Sequence, residues 1–191
     1  SEITANKRKS IGLVILFVAL IVGVGYAWGS NSAFGGFEGL LFASIISSFS
    51  VGVSYFAGDR IALFTAGARP ITQAQNPYLY RMVENLCIAN GLPVPQIYIM
   101  EDPALNAFAT GRDPAHASVA VTRGLLENLK NEELEGVIAH ELSHVKNYDI
   151  RFMMLVAVLV GTLLLMRDFL WRGMFSRGSR DDRRGSNAVM L

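Results

Sequence analysis

Charge is scarce in this sequence: 17% of its residues are Asp, Glu, Lys or Arg, against about 25% in an average soluble domain. A disordered chain, which would be polar and highly charged, is thereby excluded. The net charge is +1 and no basic stripe runs along the chain, so nucleic acid is not an expected partner. Cysteine is nearly absent. Cys87 stands alone, closes no internal disulfide and gives no sign of an oxidising compartment; on a predicted helix it reads as a small core residue. Internal repeats and long low-complexity tracts are also missing. What the chain has instead is hydrophobicity, 51% of its residues, and it is placed unevenly.

Residues 1–10 hold Lys7, Arg8 and Lys9 against Glu2. From Ser10 to Gly58 the only charge is Glu38, residues 59–151 carry a net −3, and residues 167–191 a net +3. This is the layout of a multi-pass membrane protein with a water-exposed domain between apolar segments. Residues 11–28 and 39–58 are free of charge, and about 20 helical residues cross the hydrocarbon core. The short Gly- and Ser-rich link between them predicts a transmembrane helical hairpin. Tyr26, Trp28, Tyr55 and Phe56 sit near segment ends, where interfacial aromatics belong. The small residues of the second segment, among them Ser47, Gly52 and Ser54, point to close helix packing. The basic cluster before the first segment puts the N-terminus in the cytoplasm, and two crossings return the chain there at Asp59.

A third apolar run, 152–166, extends to 171 if Arg167 and Asp168 pair or snorkel. Its length suits either a membrane helix or a buried core helix. A crossing would place the Arg-rich stretch 172–184 against the positive-inside rule. Residues 187–191 read as the start of a fourth hydrophobic segment, and both ends of the sequence suggest a piece of a longer chain.

The block 59–151 reads as an α+β domain. Asn76-Pro77 opens a helix by capping and by Pro at its first position, and Asn90-Gly91 closes it. Residues 96–100, 106–110 and 117–122 read as strands, with a short helix over 124–129. Asn131 is the expected cap of a longer helix whose first turn carries Glu132, Glu133 and Glu135, where the helix dipole favours acids.

That helix contains His140-Glu141-Leu142-Ser143-His144, an H-E-x-x-H motif holding two of the three histidines. Residues i and i+4 share a helix face, so both imidazoles reach one metal ion, and neutral imidazole is a good zinc ligand. Glu141 lies about 100° round the helix from His140. A carboxylate there reaches a water at the metal without ligating the metal, which is what metal-assisted hydrolysis of a carbonyl asks of its base. Leu134, Ile138, Leu142 and Val145 form a separate core stripe beside the histidines. His116, in a turn-like stretch, reads as a plain exposed histidine rather than a third ligand.

With its paired N-terminal hydrophobic segments, the stretch Asn106-Ala107-Phe108-Ala109-Thr110-Gly111, and HELSHVKNYD over 140–149 before a hydrophobic run, the sequence resembles the HtpX-type membrane zinc metalloproteases, relatives of the CAAX prenyl endopeptidases. The resemblance covers essentially the whole chain. It implies a zincin-like metalloprotease domain with His140 and His144 on Zn2+ and Glu141 as catalytic base. It also implies that Asn106, Ala107, Phe108, Ala109 and Thr110 form an edge strand taking an extended substrate by strand addition. The implied work is bacterial: cutting misfolded or damaged membrane proteins, or other unfolded polypeptides, at the cytoplasmic face of the inner membrane under stress. Such enzymes take a third zinc ligand, a glutamate, from a later helix. Asp149 faces away from the histidines unless the helix ends before it, and Asp168, Asp181 and Asp182 are no better placed. These 191 residues are therefore expected to bind zinc weakly and to hydrolyse nothing, with peptidase activity belonging to the longer parent. A non-catalytic membrane adaptor and a prenyl-protein endopeptidase are the competing readings.

Overall fold

Two long helices open the chain in the computed structural model, which describes residues 2–30 and 35–181. The first, α1, spans Glu2–Ser30. Its apolar stretch includes the expected 11–28, but Lys7, Arg8 and Lys9 form its first turns rather than a separate tail. The second, α2, spans Gly36–Thr65 and so runs past the expected end at 58, through Asp59 and Arg60. Both are long and apolar enough to cross a membrane. Glycine lets their backbones touch: a Cβ built on Gly25 would stand 2.3 Å from the Ala43 Cβ, and one on Gly39 would stand 2.3 Å from the Gly25 carbonyl oxygen. Small residues at such crossings replace the hydrophobic drive that lipid does not supply. Ser47 and Ser54 are fully buried.

Between α2 and the last helix lies a four-stranded mixed sheet in the order β1-β2-β4-β3, with strands β1 (Arg69–Pro70), β2 (Gln96–Met100), β3 (Ala107–Gly111) and β4 (Ala117–Thr122). Strand β4 runs parallel to β2 and antiparallel to β3. The three long strands lie within a residue of where alternation places them. The two-residue β1 is too short to leave a periodic signal.

Alternation sorts the side chains by face. Ile97, Ile99, Val119 and Val121 join a core with Leu79, Val83 and Cys87 of α3 (Pro77–Asn90) and with Leu134, Ile138, Leu142 and Val145 of α5 (Asn131–Lys146). The short helix α4 (Arg123–Asn128) adds Leu125 to it. Met100 and Ala120 belong to a second cluster, with Leu63 at the end of α2. Thus α2 leaves the hairpin and seats its last turns on one sheet face, which ties the apolar helices to the domain.

Helix α3 begins as its sequence asks: the Asn76 side chain accepts the Leu79 N–H at 3.0 Å, and Gly91 closes the helix in the left-handed region at φ 66°. At α5 the expectation shifts by one residue. Asn131 is the first helical residue rather than the cap, and the Glu133 carboxylate accepts the Lys130 N–H at 2.9 Å.

The last helix, α6, spans Asp149–Asp181. Its Leu155 and Leu159 pack with Phe17, Ile21 and Ala43 of the hairpin. Together with α5, from which it is bent by 82°, its stretch up to Leu165 is long and apolar enough for a broken membrane span. The Arg-rich loop expected from residue 172 is instead helical as far as Asp181, because the helix that begins at Asp149 simply continues; residues 182–191, with the expected start of a fourth segment, lie outside the described residues.

Candidate active site

The core stripe fixes how α5 is rotated. Ile138, Leu142 and Val145 are fully buried and Leu134 nearly so. This commits one side of the helix to the sheet and turns the adjoining His140–His144 side outward. His140 is exposed, and His144 keeps 41% of its side-chain surface. Their Nε2 atoms converge to 3.2 Å, with the ring planes at 86°. Two nitrogens at that separation, each bonded to zinc at 2.0–2.1 Å, subtend about 100–106° at the ion, close to the tetrahedral angle. The donor chemistry and the bite fit a zinc ion held by both rings.

Behind His144 stands a carboxylate. Helix α5 ends at Lys146, and Tyr148 takes φ 62°, the left-handed region that a bulky residue rarely adopts. Chain direction changes there by 82°. The expectation that Asp149 faces away held only for a continuous helix; the break swings it back, so that its Oδ2 lies 3.0 Å from His144 Nδ1. With Nδ1–H donating to Asp149, the free lone pair falls on Nε2, the nitrogen directed at the ion. Asp149 is held in turn by Asn6 of α1, whose amide donates to Asp149 Oδ1 and, at 3.1 Å, to the Asn147 carbonyl. The Lys7 ammonium covers the Tyr148 ring at 4.3 Å. The first turns of α1 therefore brace the break.

On the other flank lies β3, an edge strand. The Thr122 N–H donates to the Asn106 carbonyl and the Thr122 hydroxyl oxygen accepts the Asn106 N–H at 3.0 Å. By the alternation of an antiparallel ladder, Phe108 and Thr110 also turn their backbone groups to β4, while Ala107 and Ala109 turn theirs outward. The outward N–H of Ala109 donates to Glu141 Oε2 at 3.0 Å. Of the five residues expected along a substrate strand, Asn106, Phe108 and Thr110 thus have their backbones committed to the sheet. Ala107 and Ala109 present theirs at the edge beside Glu141.

His116 is engaged elsewhere. Its Nδ1 lies 2.7 Å from Asp113 Oδ1, which also accepts the His116 backbone N–H. Burial raises the Asp113 carboxyl pKa, but the hydrogen bonds and charge of His116 outweigh it and hold the group below the ordinary aspartate value. Among the described residues no group of three His, Cys, Asp or Glu side chains is arranged to hold a metal. The residues that sequence reasoning missed are Asn6, which carries no local signal, and Asp149 as a support for His144.

The model of Peptidase family M48 matches residues 73–188, more than half of the chain. Among curated proteins, the chain is 44% identical over 189 residues to a "Protease HtpX homolog" of Tropheryma whipplei (strain Twist), covering 99% of this chain and 63% of that protein. It is 46% identical over 180 residues to a namesake in Dictyoglomus thermophilum, covering 94% and 59%. To one in Listeria monocytogenes serotype 4a it is 39% identical over 175 residues, covering 91% and 58%. The chain spans about three fifths of the length of these relatives.

Proposed function

The chain belongs to peptidase family M48, and from that premise we propose that it carries the membrane hairpin and metal-binding helix of a zinc-dependent endopeptidase. In this reading the α+β part is a zincin-like domain at the cytoplasmic face of a bacterial inner membrane. Its substrates are misfolded or damaged membrane proteins. The observation that carries the proposal is the convergence of the two Nε2 atoms at 3.2 Å with Glu141 seated between them and an open strand edge. Relatives named as proteases and two apolar helices support it further.

His140 and His144 would hold the zinc, with a third ligand from outside the described residues, since catalytic zinc sites keep three. A bound zinc would supply Lewis acidity toward a water and the substrate carbonyl. The chain's own groups do the rest. Glu141 would take a proton from the water whose oxygen bonds to the substrate carbonyl carbon, and return it to the amine released as the peptide C–N bond breaks. The Ala109 N–H holds that carboxylate in place. An extended substrate pairs with the outward groups of Ala107 and the carbonyl of Ala109, the N–H of Ala109 being already engaged. The 82° bend sets α5 immediately beside the start of α6, so a segment leaving the bilayer would reach the site first.

The test is casein cleavage by the protein at the length of its relatives, with and without chelator, alongside Glu141→Gln. Glutamine keeps an acceptor for the Ala109 N–H but is no base. Chelator-sensitive cleavage that disappears in Glu141→Gln is the expected result. Cleavage that survives the substitution overturns the role of Glu141, and no cleavage at all favours the adaptor reading.

A further inference from the structure

A groove of about 340 Å³ opens between α1, α2 and the start of α6, away from the histidines. Its walls are apolar: Ile11 and Ile15 of α1, Val51 and Phe56 of α2, Leu155 of α6. Ile11, Ile15 and Phe56 are more than half exposed, so the groove opens on the surface that the hairpin would offer to lipid. At one end stands Arg151. It is half-buried, and its Nε is shielded from solvent without a hydrogen-bond partner. Its guanidinium faces the Tyr55 ring at 5.3 Å, and no carboxylate among the described residues forms an ion pair with it. Arg151 is also the third residue of α6, where the helix dipole opposes a cation. A second guanidinium, that of Arg112, lies 5.7 Å from the Phe56 ring and 5.9 Å from Tyr55, but it already has a carboxylate partner in Asp113 at 3.7 Å.

A shielded donor on an unpaired cation is expensive to leave unsatisfied. The missing partner is an anion, and it must arrive attached to something apolar enough to fill the groove. We propose that the groove binds one anionic phospholipid, with its phosphodiester on Arg151 and an acyl chain between α1 and α2. Guanidinium is the side chain best matched to phosphate. A transmembrane segment of another protein would fill the apolar part but brings no anion to the cation. The inference rests on the reading that α1 and α2 lie in a bilayer, and it is independent of peptidase activity.

Two variants separate headgroup from chain. Arg151→Gln removes the charge. Gly52→Leu fills the groove, because a Cβ at Gly52 meets nothing within 4 Å. The chain and both variants are assembled in nanodiscs of phosphatidylcholine doped with phosphatidylglycerol, which checks membrane insertion by itself. Lipids retained after release are then counted by native mass spectrometry. The wild-type chain should keep one phosphatidylglycerol in preference to phosphatidylcholine; Arg151→Gln should lose that preference by about tenfold, and Gly52→Leu should lower retention of either lipid by about tenfold. Inserted wild-type protein without the preference overturns the proposal, as does unchanged retention in Arg151→Gln. Full displacement by inorganic phosphate would assign the cation to free phosphate instead, and displacement by an apolar transmembrane peptide would assign the groove to polypeptide; either overturns the lipid.

Discussion

Replacing Asp149 by Asn should weaken zinc binding while the fold stays intact. Asp149 accepts from His144 Nδ1 at 3.0 Å and from Asn6, so it fixes both the tautomer and the tilt of one proposed ligand. Losing such an outer carboxylate typically costs 10–100-fold in metal affinity, or about 1.4–2.7 kcal/mol. Here the two side chains keep 41% and 33% of their surface in water, which competes for the hydrogen bond. The lower end, about tenfold, is the working figure. Asn6→Ala should act through the same carboxylate. It should weaken binding by no more than the Asp149 change, and in the Asp149→Asn background it should add almost nothing, because residues in one network do not contribute independently. The assay is competition for zinc against a chromophoric chelator on the detergent-solubilised chain, with circular dichroism as the folding control. Wild-type affinity in Asp149→Asn would refute the reasoning, and additive losses in the double variant would remove Asn6 from the network.

Ile138→Ala removes a fully buried side chain of α5 and should destabilise the domain by about 2–5 kcal/mol, read by chemical denaturation. The Cys87 thiol, whose pKa burial pushes up, should resist alkylation in the native protein and react once the domain is unfolded; rapid native labelling would contradict its burial. Glu101 is held below the ordinary glutamate value by the Arg123 guanidinium. A depressed carboxylate contributes stability that is present above its unfolded value, near 4.5, and fades as pH falls through the lower folded value. Thermal midpoints between pH 7 and 3 should therefore drop a little less steeply in Arg123→Gln than in the wild-type protein.

The parts of this protein that were legible in its sequence are those with local causes. Two charge-free runs of membrane length became α1 and α2. Asn76-Pro77 and Gly91 bounded α3 as expected, because capping needs only a few neighbouring residues. The i, i+4 spacing already placed His140 and His144 on one face, and the stripe Leu134, Ile138, Leu142, Val145 said which side would be buried. Where the sequence misled, the cause was not local. Nothing in Asn147-Tyr148 breaks a helix by propensity alone; Asn is a modest stop signal and Tyr is none. A left-handed tyrosine costs about 1–3 kcal/mol and persists only where its surroundings over-determine it. The surroundings here are Lys7 on the ring and Asn6 on both Asn147 and Asp149, some 140 residues earlier in the chain. The hairpin and α5 are therefore coupled through the break: whatever shifts the first turns of α1 relative to α6 moves Asp149, and with it the ring of His144. A helix that seemed only an anchor takes part in setting the geometry of the proposed metal site.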